Sequence, residues 1–454
     1  MARRGVVITG IGTICGLGVG PAALWEGLVA GRSALRPIKR FDPTGFRSRL
    51  AAEADAFAGA RDYVPKSYRK ATKVMARDTE LTVAAARLAV EDAKAATPGT
   101  LPEGSTQSAT FAAARLGCHI GAGLIAAEID ELTAAMATAR GAVDSRGLPT
   151  FDLRVWGGAE GGAGGMNNLP PLWMLKYLPN MLACHVTIIH GAEGPSNTLT
   201  GTQASGLLCI GESRRAIERG AADACFSGGG ESPVNHLRLM RFDLAGRLAA
   251  TGDEQDGANV VRPFDPASAG GLLGEGAGIL ILEGADSAAA RGARPYAAVS
   301  GFGSAQSGIA PGGKGRTFTP DGRRFAIENA LADANLAPAD IDAIVPEAGG
   351  VADEDRAEAD TLRAVFGPRL ARVPLVTLGP AVGDCLAGQG GIAVAAAALA
   401  IRHQTLPARI HRGRPAAGLD AGPSASRPAR LRHVLVETGS VGGQNAAVVV
   451  SSTA

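Results

Sequence analysis

The stretch GTQASG at residues 201–206 is typical of a tight turn that places one side chain at the N-terminus of a helix. Residues 198–200 form a short extended run ahead of it, and from Ala204 onward apolar residues recur at helical spacing. A helix N-terminus carries a partial positive charge that favours an anion, so enzymes place nucleophiles there. The residue at this turn is Gln203, whose amide has no ionisable proton. The position is typical of a nucleophile, but the residue type does not supply one.

Cysteines and histidines elsewhere offer little alternative chemistry. The six cysteines are scattered without a C-x-x-C pair, which predicts buried free thiols in a reducing compartment rather than disulfides or a zinc site. They are Cys15, Cys118, Cys184, Cys209, Cys225 and Cys385. We interpret His119, His185 and His190 as structural residues within strands or helices. No metal and no cofactor is expected.

Charge and hydropathy exclude two classes of partner. The chain has 454 residues with 45 basic and 43 acidic side chains, a formal net charge of +2 that gives no electrostatic case for nucleic acid. No gap-free apolar run of about 18 residues is present, so no membrane span is expected. The basic start and the apolar run after it resemble a signal peptide, but VVITGIG is better explained as a first buried strand. We therefore expect a cytoplasmic protein.

The elements that must position Gln203 alternate between strand and helix patterns. Buried strands are predicted around GVVITGIG, RLGCHIGAGL, AADACFSGGGES and GAGILILE, with helices at PAALWEGLVAGRSAL and over residues 73–96. The Gly-rich residues 155–171 are predicted to be a flexible surface insertion. Alternation of this kind predicts an α/β protein with mainly parallel sheets and helices on both faces.

An internal repeat divides the chain. Residues 294–308, RPYAAVSGFGSAQSG, echo the opening RRGVVITGIGTICGLG, and each segment is followed by a helix. The period is far too long for a solenoid, so we interpret the repeat as a duplicated α/β half and place the halves at residues 1–290 and 291–454. The spacing in GIGTIC departs from the dinucleotide-binding fingerprint, so a strand followed by a tight turn is preferred.

Several motifs together resemble one family. These motifs occur in the order and spacing of the β-ketoacyl-acyl carrier protein synthases, and the resemblance runs nearly end to end: RRGVVITGIGTICGLG, WEGLVAGRSALRPIKRFD, GPSNTLTGTQASG, RPFDPASAGGLLGEGAGILILE and GSVGGQNAAVVV. It implies a thiolase fold, an α/β architecture with two similar halves in a five-layered αβαβα arrangement.

The resemblance also implies where the catalytic residues should lie. The family uses a cysteine that carries the acyl chain, two histidines that assist decarboxylation and stabilise the oxyanion, and a lysine that supports the second histidine. The corresponding residues here are Gln203 for the cysteine, Ala348 and Asp384 for the histidines, and Gly379 for the lysine. Gly439 matches the phenylalanine that gates the pocket, beside the conserved glycines Gly442 and Gly443, and Ser268 and Ala269 replace an Arg-Asp pair.

These losses favour a subunit without condensing activity. Without a thiolate no covalent acyl intermediate can form, and loss of one oxyanion donor alone costs about 10² to 10³ in rate. The chain is similar to chain-length factors, which imply an active Cys-His-His ketosynthase as heterodimer partner, an acyl carrier protein and a bound acyl chain. Two alternatives remain open: an enzyme of the same fold, either a decarboxylase using Gln203 or an acyltransferase using Asp384 or Cys385, or a stand-alone protein that binds acyl chains or carrier protein.

Residues 169–189 are where we expect subunit contact. Large apolar side chains are concentrated there, and such patches mark interfaces, although simple core packing explains any single one nearly as well. The candidates are Trp173, Met174, Leu175, Leu178 and Met181. The sequence leaves open the product, its chain length, and whether the pathway makes fatty acids or polyketides.

Overall fold

A computed structural model describes residues 3–102, 105–158, 164–308 and 319–453. Strands in this part of the chain are β1 (Val6–Cys15), β2 (Gly18–Val19), β3 (Leu35–Pro37), β4 (Leu50–Ala52), β5 (Leu116–Gly121), β6 (Arg140–Val143), β7 (Pro149–Phe151), β8 (Ser196–Leu199), β9 (Ala224–Glu231), β10 (Gly276–Gly284), β11 (Ala297–Gln306), β12 (Ala343–Val345), β13 (Thr405–Leu406), β14 (Arg427–Pro428), β15 (His433–Gly439) and β16 (Gln444–Ser451). The α-helices are α1 (Pro21–Val29), α2 (Arg77–Asp92), α3 (Ile129–Ala137), α4 (Leu153–Gly157), α5 (Trp173–Lys176), α6 (Met181–His190), α7 (Ser205–Glu218), α8 (His236–Leu244), α9 (Ala285–Ala290), α10 (Asp321–Asp333), α11 (Ala352–Phe366), α12 (Gly379–Val382) and α13 (Gln389–His403).

The central sheet is mixed, which corrects the expectation of mainly parallel sheets. Its strands follow the order β12-β15-β16-β11-β1-β10-β9-β5-β8, and β2 pairs with β1. Only β12 with β15, β5 with β8 and β5 with β9 pair in parallel within the described residues. The strands β10 and β16 each return antiparallel to their neighbours, a direction that the hydrophobic pattern of a fully buried strand does not reveal.

The two halves repeat one strand order. In the first half the order is β5-β9-β10-β1, and in the second it is β12-β15-β16-β11. The halves meet where β1 pairs with β11 through Val7 opposite Ala298 and Ile8 opposite Ala297. The duplication predicted from the repeat is therefore present in the topology. The division at residue 290 stays a prediction.

The Gly-x-Gly of each repeat allows a helix to pack closely against its strand. A Cβ at Gly12 would lie 1.9 Å from the carbonyl oxygen of Ala85 in α2. A Cβ at Gly303, the equivalent glycine in β11, would lie 2.1 Å from the carbonyl oxygen of Ala326 in α10. Each helix lies so close to its strand that no side chain fits between them. These glycines serve helix packing, in agreement with the rejection of a dinucleotide-binding motif.

Helices cover both faces of the sheet. Gly278 of β10 faces α13, where a Cβ would lie 2.3 Å from the backbone nitrogen of Ile392, whereas Ala277 and Ile279 belong to the core cluster that includes α2. The helices α7 and α13 pack against each other, and their first turns meet where Gly206 contacts Gly390.

Both of these central helices begin at a strained residue. Thr202 has φ 48° and Leu386 has φ 47°, values in the left-handed region that side chains other than glycine rarely adopt. Each residue opens a single 3-10 turn, Thr202–Ala204 and Leu386–Gly388, that leads directly into α7 or α13. We call the left-handed residue and the 3-10 turn that it opens an elbow, and one elbow occurs in each half.

Several local predictions need correction. The helix expected over residues 73–96 is shorter, Arg77–Asp92, and a 3-10 helix at Lys66–Val74 precedes it. Within residues 155–171, the described parts form the end of α4 and a 3-10 turn at Gly165–Asn168, where the N–H of Asn167 donates to the Gly164 carbonyl; the flexibility of this insertion stays a prediction. Residues 159–163 lie outside the described residues.

Candidate functional site

Gln203 lies fully buried in the turn before α7, as predicted. Its side-chain amide donates a 2.9 Å hydrogen bond from Nε2 to Oδ2 of Asp384. The other carboxylate oxygen of Asp384 accepts from the backbone N–H of Leu386 at 2.9 Å, which is the strained residue before α13. The structure thus joins two of the family-matched positions through one charge-assisted hydrogen bond across the elbows of the two halves.

Ala348 is buried in the loop between β12 and α11, with φ 45°. The loop is fixed by the first turns of that helix. Both oxygens of Glu358 accept backbone N–H groups, from Glu347 and Ala348, at 2.9 Å each, and Asp355 accepts from the N–H of Gly350. Ser268 donates from its hydroxyl to the Gly350 carbonyl at 2.6 Å. Ala348, which the sequence prediction matches to the first family histidine, therefore places a methyl group in a firmly held loop.

Two of the matched positions, Gly379 and Asp384, line a very small cavity. It is lined by Val261, Leu272, Glu347, Gly349, Gly379, Gly383, Asp384 and Gln389. Its volume is about 10 Å³, which is room for about one water molecule. A Cβ at Gly379, where the family has its lysine, would lie 3.4 Å from the Ala348 carbonyl oxygen. The four predicted residues thus lie close together through the Gln203–Asp384 and Gly379–Ala348 contacts, and the cavity beside Gly379 and Asp384 is too small for an acyl thioester.

An arginine takes the space beside Gly439. A Cβ at Gly439 would lie 2.3 Å from Nη2 of Arg323 and 2.7 Å from Oδ1 of Asn445. The Arg323 guanidinium is held by three carboxyl groups, from Glu347 at 3.0 Å, Glu358 at 2.6 Å and Glu437 at 3.3 Å. Glycine is required at position 439 because this ion cluster leaves no room for a side chain.

Glu347 connects this cluster to the cavity. Its Oε2 accepts a 2.7 Å hydrogen bond from the backbone N–H of Gly439 as well as one from Arg323. The side chain is 12 % exposed, and burial raises the pKa of Glu347 to about 7 even though Arg323 acts in the opposite direction. Burial also raises the pKa of Glu437 well above its usual range. The cavity is therefore lined by two carboxyl groups, those of Glu347 and Asp384, and Asp384 is the one matched to a family histidine.

A second group of buried carboxyls lies where the start of α2 meets the end of β9. Asp78 accepts from the N–H of Ser232 at 3.1 Å, and burial raises its pKa to about 6. Glu231 pairs with Arg238 and accepts from the N–H of Ala387 at 3.1 Å, and burial raises the pKa of Glu231 to about 8. This group supports the start of α13 from the first half and does not line the cavity.

The buried thiols are unreactive. Burial raises the pKa of Cys385 well above the value of a free thiol, and its Sγ lies 3.5 Å from the Val382 carbonyl oxygen. Cys209 is fully buried in α7, and burial likewise raises its pKa. Since a thiolate is the nucleophilic form, neither residue replaces the missing cysteine.

The histidines occupy structural positions. His119 lies in β5, and one ring nitrogen is 3.0 Å from the Ser213 hydroxyl. His185 and His190 lie in α6, where Nδ1 of His190 is 2.9 Å from the Thr97 hydroxyl. Burial lowers the pKa of His190 to about 3 and that of His119 to about 4, so both rings are neutral at pH 7. None of the three lines the cavity at Asp384.

The remaining sequence candidates lie outside the cavity. Gly442 and Gly443 form the turn between β15 and β16, and the N–H of Gly443 donates to the Ser440 carbonyl at 2.9 Å. Trp173 packs edge-on against Tyr177, whereas Met174 and Leu175 in α5 are 66 % and 39 % exposed. Leu178 and Met181 are half-buried.

An open apolar groove lies near this surface segment. Its volume is about 490 Å³, and its lining is mostly apolar. The residues around it come from α3, β6, β7 and the start of α8: Ile129, Leu132, Thr133, Met136, Ala137, Arg140, Pro149, Thr150, Phe151 and Leu237. Exposed large apolar side chains continue along the same part of the chain, at Leu148, Leu153 and Leu172.

Sequence reasoning missed the acidic cluster. Arg323, Glu358 and Glu437 carry it, and they come from α10, α11 and β15. The only signal was a single charged residue within an apolar strand, as in HVLVETG, which indicates a buried charge with an unseen partner. The partner, Arg323, lies in a helix 114 positions away, so its role depends on the tertiary fold.

Comparison with known proteins agrees with this geometry. Residues 3–288 match the N-terminal domain of β-ketoacyl synthases and residues 296–412 match the C-terminal domain. The chain is 32 % identical to the actinorhodin polyketide putative β-ketoacyl synthase 1 of Streptomyces coelicolor, over 99 % of this chain and 88 % of that protein. The solved ishigamide ketosynthase/chain length factor is 27 % identical, with a TM-score of 0.80 and full coverage of both chains. A type II polyketide synthase acyl-carrier protein in complex with its ketosynthase bound to the hexaketide matches with a TM-score of 0.77 over 99 % of this chain and 100 % of that chain, at 21 % identity, which shows the fold alone.

Two similar halves whose central helices start at one shared site define the thiolase-type α/β fold, as the sequence predicted. The chain belongs to the β-ketoacyl synthase family. Within the described residues, no helix is long and apolar enough to cross a membrane.

Proposed function

We propose that this chain is a ketosynthase-like subunit that does not condense acyl groups itself and works as the partner of an active, cysteine-bearing ketosynthase in type II polyketide biosynthesis. In this role it resembles a chain-length factor. The ligand is an acyl group delivered by an acyl carrier protein. The polypeptide contributes part of the surface along which that acyl group lies.

The observation that carries the proposal is the bond between Gln203 and Asp384. An amide at the helix N-terminus cannot form a thioester, and its donor group is already taken by a carboxylate where the family has a histidine. The adjoining cavity holds about one water molecule. Residue 203 supplies no nucleophile, and the cavity beside its partner Asp384 has no room for a substrate.

The alternative enzymatic roles find less support. A malonyl decarboxylase must bind the malonyl carboxylate, and the Asp384 carboxylate that lines the cavity would repel it. An acyltransferase using Cys385 needs an accessible thiolate, but that thiol is fully buried. An acyltransferase using Asp384 needs a free carboxylate, whereas both of its oxygens accept hydrogen bonds.

Pairing is supported by the exposed apolar surface. Met174 and Leu175 are exposed on α5, and the apolar groove lies alongside α3 and β7. Exposed apolar patches of this extent mark interaction sites. The solved ketosynthase/chain length factor, which covers the whole chain at a TM-score of 0.80, supports the same assignment. A lone binding protein would leave this surface in contact with water.

Two measurements test the proposal. Incubation of the purified chain with acyl carrier protein carrying an acyl group should leave its intact mass unchanged, and a stoichiometric adduct removed by hydroxylamine would contradict the lack of a nucleophile. Co-expression with a cysteine-bearing ketosynthase encoded beside it should give a complex of both chains in size-exclusion chromatography. If the chain stays a monomer with and without that ketosynthase, the stand-alone binding protein replaces the partner subunit.

A further inference from the structure

We propose that the carboxyl group of Glu347 is a built-in occupant of the position where the carbonyl oxygen of an acyl thioester would lie during transfer to a group at residue 203. The inference rests on the proposed function and extends it. The site not only lacks a nucleophile but is also closed by one of its own side chains.

The backbone N–H of Gly439 lies one residue beyond the contact between β15 and Gln203. Acyl transfer develops negative charge on the carbonyl oxygen, and backbone N–H groups beside the reacting residue stabilise that charge. Strand β15 passes this point, since the Thr438 hydroxyl donates to the carbonyl oxygen of Gln203 at 3.4 Å. The next residue is Gly439, and its N–H donates to Oε2 of Glu347 at 2.7 Å. The donor that could receive an oxyanion is therefore occupied by an oxygen atom of the protein.

The geometry of Glu347 resembles that of a bound carboxylate ligand. The same oxygen accepts from Nη2 of Arg323 at 3.0 Å, so it has one backbone donor and one guanidinium donor. Its own backbone is fixed by Glu358, which accepts the N–H groups of Glu347 and Ala348. The left-handed conformation of Ala348 adds a sharp bend directly after it. Because the loop is held at several points, the carboxyl group is positioned rather than free to swing away.

Removal of this carboxyl group should leave the surrounding cluster intact. Arg323 keeps Glu358 at 2.6 Å and Glu437 at 3.3 Å as partners, so its charge stays paired. The space vacated by a glutamate side chain would join the cavity of about 10 Å³ that Glu347 lines. Truncation at position 347 therefore both frees the Gly439 N–H and enlarges the site.

The experiment uses a thiol introduced at the elbow as a reporter. The variant Gln203→Cys is compared with the double variants Gln203→Cys/Glu347→Ala and Gln203→Cys/Glu347→Gln, each as the full chain together with its partner if a complex forms. The probe is the hexanoyl thioester of N-acetylcysteamine, and the acyl adduct is followed by intact mass. The matched control is Gln203→Cys/Glu354→Gln, since Glu354 pairs with Arg247 and makes no bond to Gly439.

The expected rates distinguish two effects of Glu347, which are the filling of the carbonyl-oxygen position and the negative charge of the carboxyl group. Acylation should be at least about tenfold faster with Glu347→Ala than with Gln203→Cys alone, because one oxyanion donor is worth about 10² to 10³ in rate. Glu347→Gln should stay close to the slow rate, because its amide oxygen still accepts from Gly439. High concentrations of acetate should slow the Glu347→Ala variant again by refilling the position.

Several outcomes overturn the inference. They are equal rates with and without Glu347→Ala, equal acceleration by Glu347→Gln, or equal acceleration by the Glu354 control. If Glu347→Ala does not fold, Glu347→Asp, which withdraws the carboxyl group by one methylene, takes its place with the same expectations. These failures leave the proposed function intact, because the natural chain has no thiol at this position. Acylation of the natural chain in the same assay would instead contradict the proposed function.

Discussion

The side chains of Gln203 and Asp384 form a 2.9 Å hydrogen bond that joins the elbow of one half to the elbow of the other. Both residues match catalytic positions of the family in the sequence prediction, and here the Gln203 amide donates to the Asp384 carboxylate. The pair thus converts a catalytic contact into a structural one. Since Asp384 also accepts from Leu386, the bond connects the starts of α7 and α13.

The pair should contribute measurable stability. We expect a double-mutant cycle of Gln203→Met and Asp384→Ala to give a coupling free energy of about 1.5–3 kcal/mol, the range for a buried hydrogen bond to a charged group. The measurement is chemical unfolding of the natural chain, both single variants and the double variant. Additive single effects, with coupling below about 0.5 kcal/mol, would show that the bond does not hold the elbows together.

A cysteine alone should not restore condensation. Gln203→Cys supplies a thiol at a helix N-terminus, where its pKa is lowered, but Ala348, Asp384 and Gly379 still lack the family's acid-base groups. We expect no β-ketoacyl product from malonyl and acyl carrier protein in a single-turnover assay analysed by mass. Product formation at rates typical of the family would show that the residue roles assigned here are wrong.

The buried Asp78 should give a defined pH dependence. Its pKa is raised from 3.8 to about 6 by burial, so folding favours the protonated form. That stabilisation is fully present below pH 3.8 and is lost as the pH rises through 6, by up to about 3 kcal/mol. Asp78→Asn cannot titrate and keeps an acceptor for Ser232. Unfolding at pH 4, 5, 6 and 7.5 should show the variant gaining stability relative to the natural chain up to pH 6 and then no further; a constant difference across this range would refute the assignment.

Position 439 should tolerate no side chain. A Cβ there would lie 2.3 Å from a guanidinium that three carboxyl groups hold in place, so Gly439→Ala should destabilise the chain by about 1–3 kcal/mol. Gly422→Ala is the matched control, because a Cβ at Gly422 has no neighbour within 4 Å, and its effect should stay within about 0.5 kcal/mol. Thermal unfolding of the two variants compares them directly, and equal melting temperatures would argue against a rigid Arg323.

The exposed part of α5 should govern partner binding. Met174→Glu places a charge on a side chain that is 66 % exposed, so the chain itself should keep its melting temperature while the complex with the ketosynthase weakens by at least about tenfold in Kd. Phe325→Glu, at a residue 45 % exposed on α10 in the other half, is the control and should leave binding unchanged. Isothermal titration measures both. Weakening by Phe325→Glu alone would move the interface to the second half.

The sequence predicted the elements and the matched positions better than their chemical surroundings. Local patterns located Gln203 at an elbow and Gly12 and Gly303 in repeated strands, because those signals lie within a few residues. The strand directions were mispredicted, since fully buried strands look alike in both orientations. The occupation of the site depends on Arg323, Glu347 and Glu437, which are brought together only by the tertiary fold.

The strained elbows at Thr202 and Leu386 have a meaning for how such a subunit changes over time. A left-handed residue other than glycine costs of order 1 kcal/mol, and in enzymes such strain is commonly associated with an active site. Here one elbow carries an unreactive amide and the other, at Ala387, a methyl group, yet both keep the strain. The tight approach of Gly206 to Gly390 requires it, because the two helix starts can meet only if the chain turns that sharply. Under the proposed function, a subunit without condensing chemistry therefore keeps this backbone for helix packing, and with it a scaffold on which a reacting residue could be placed.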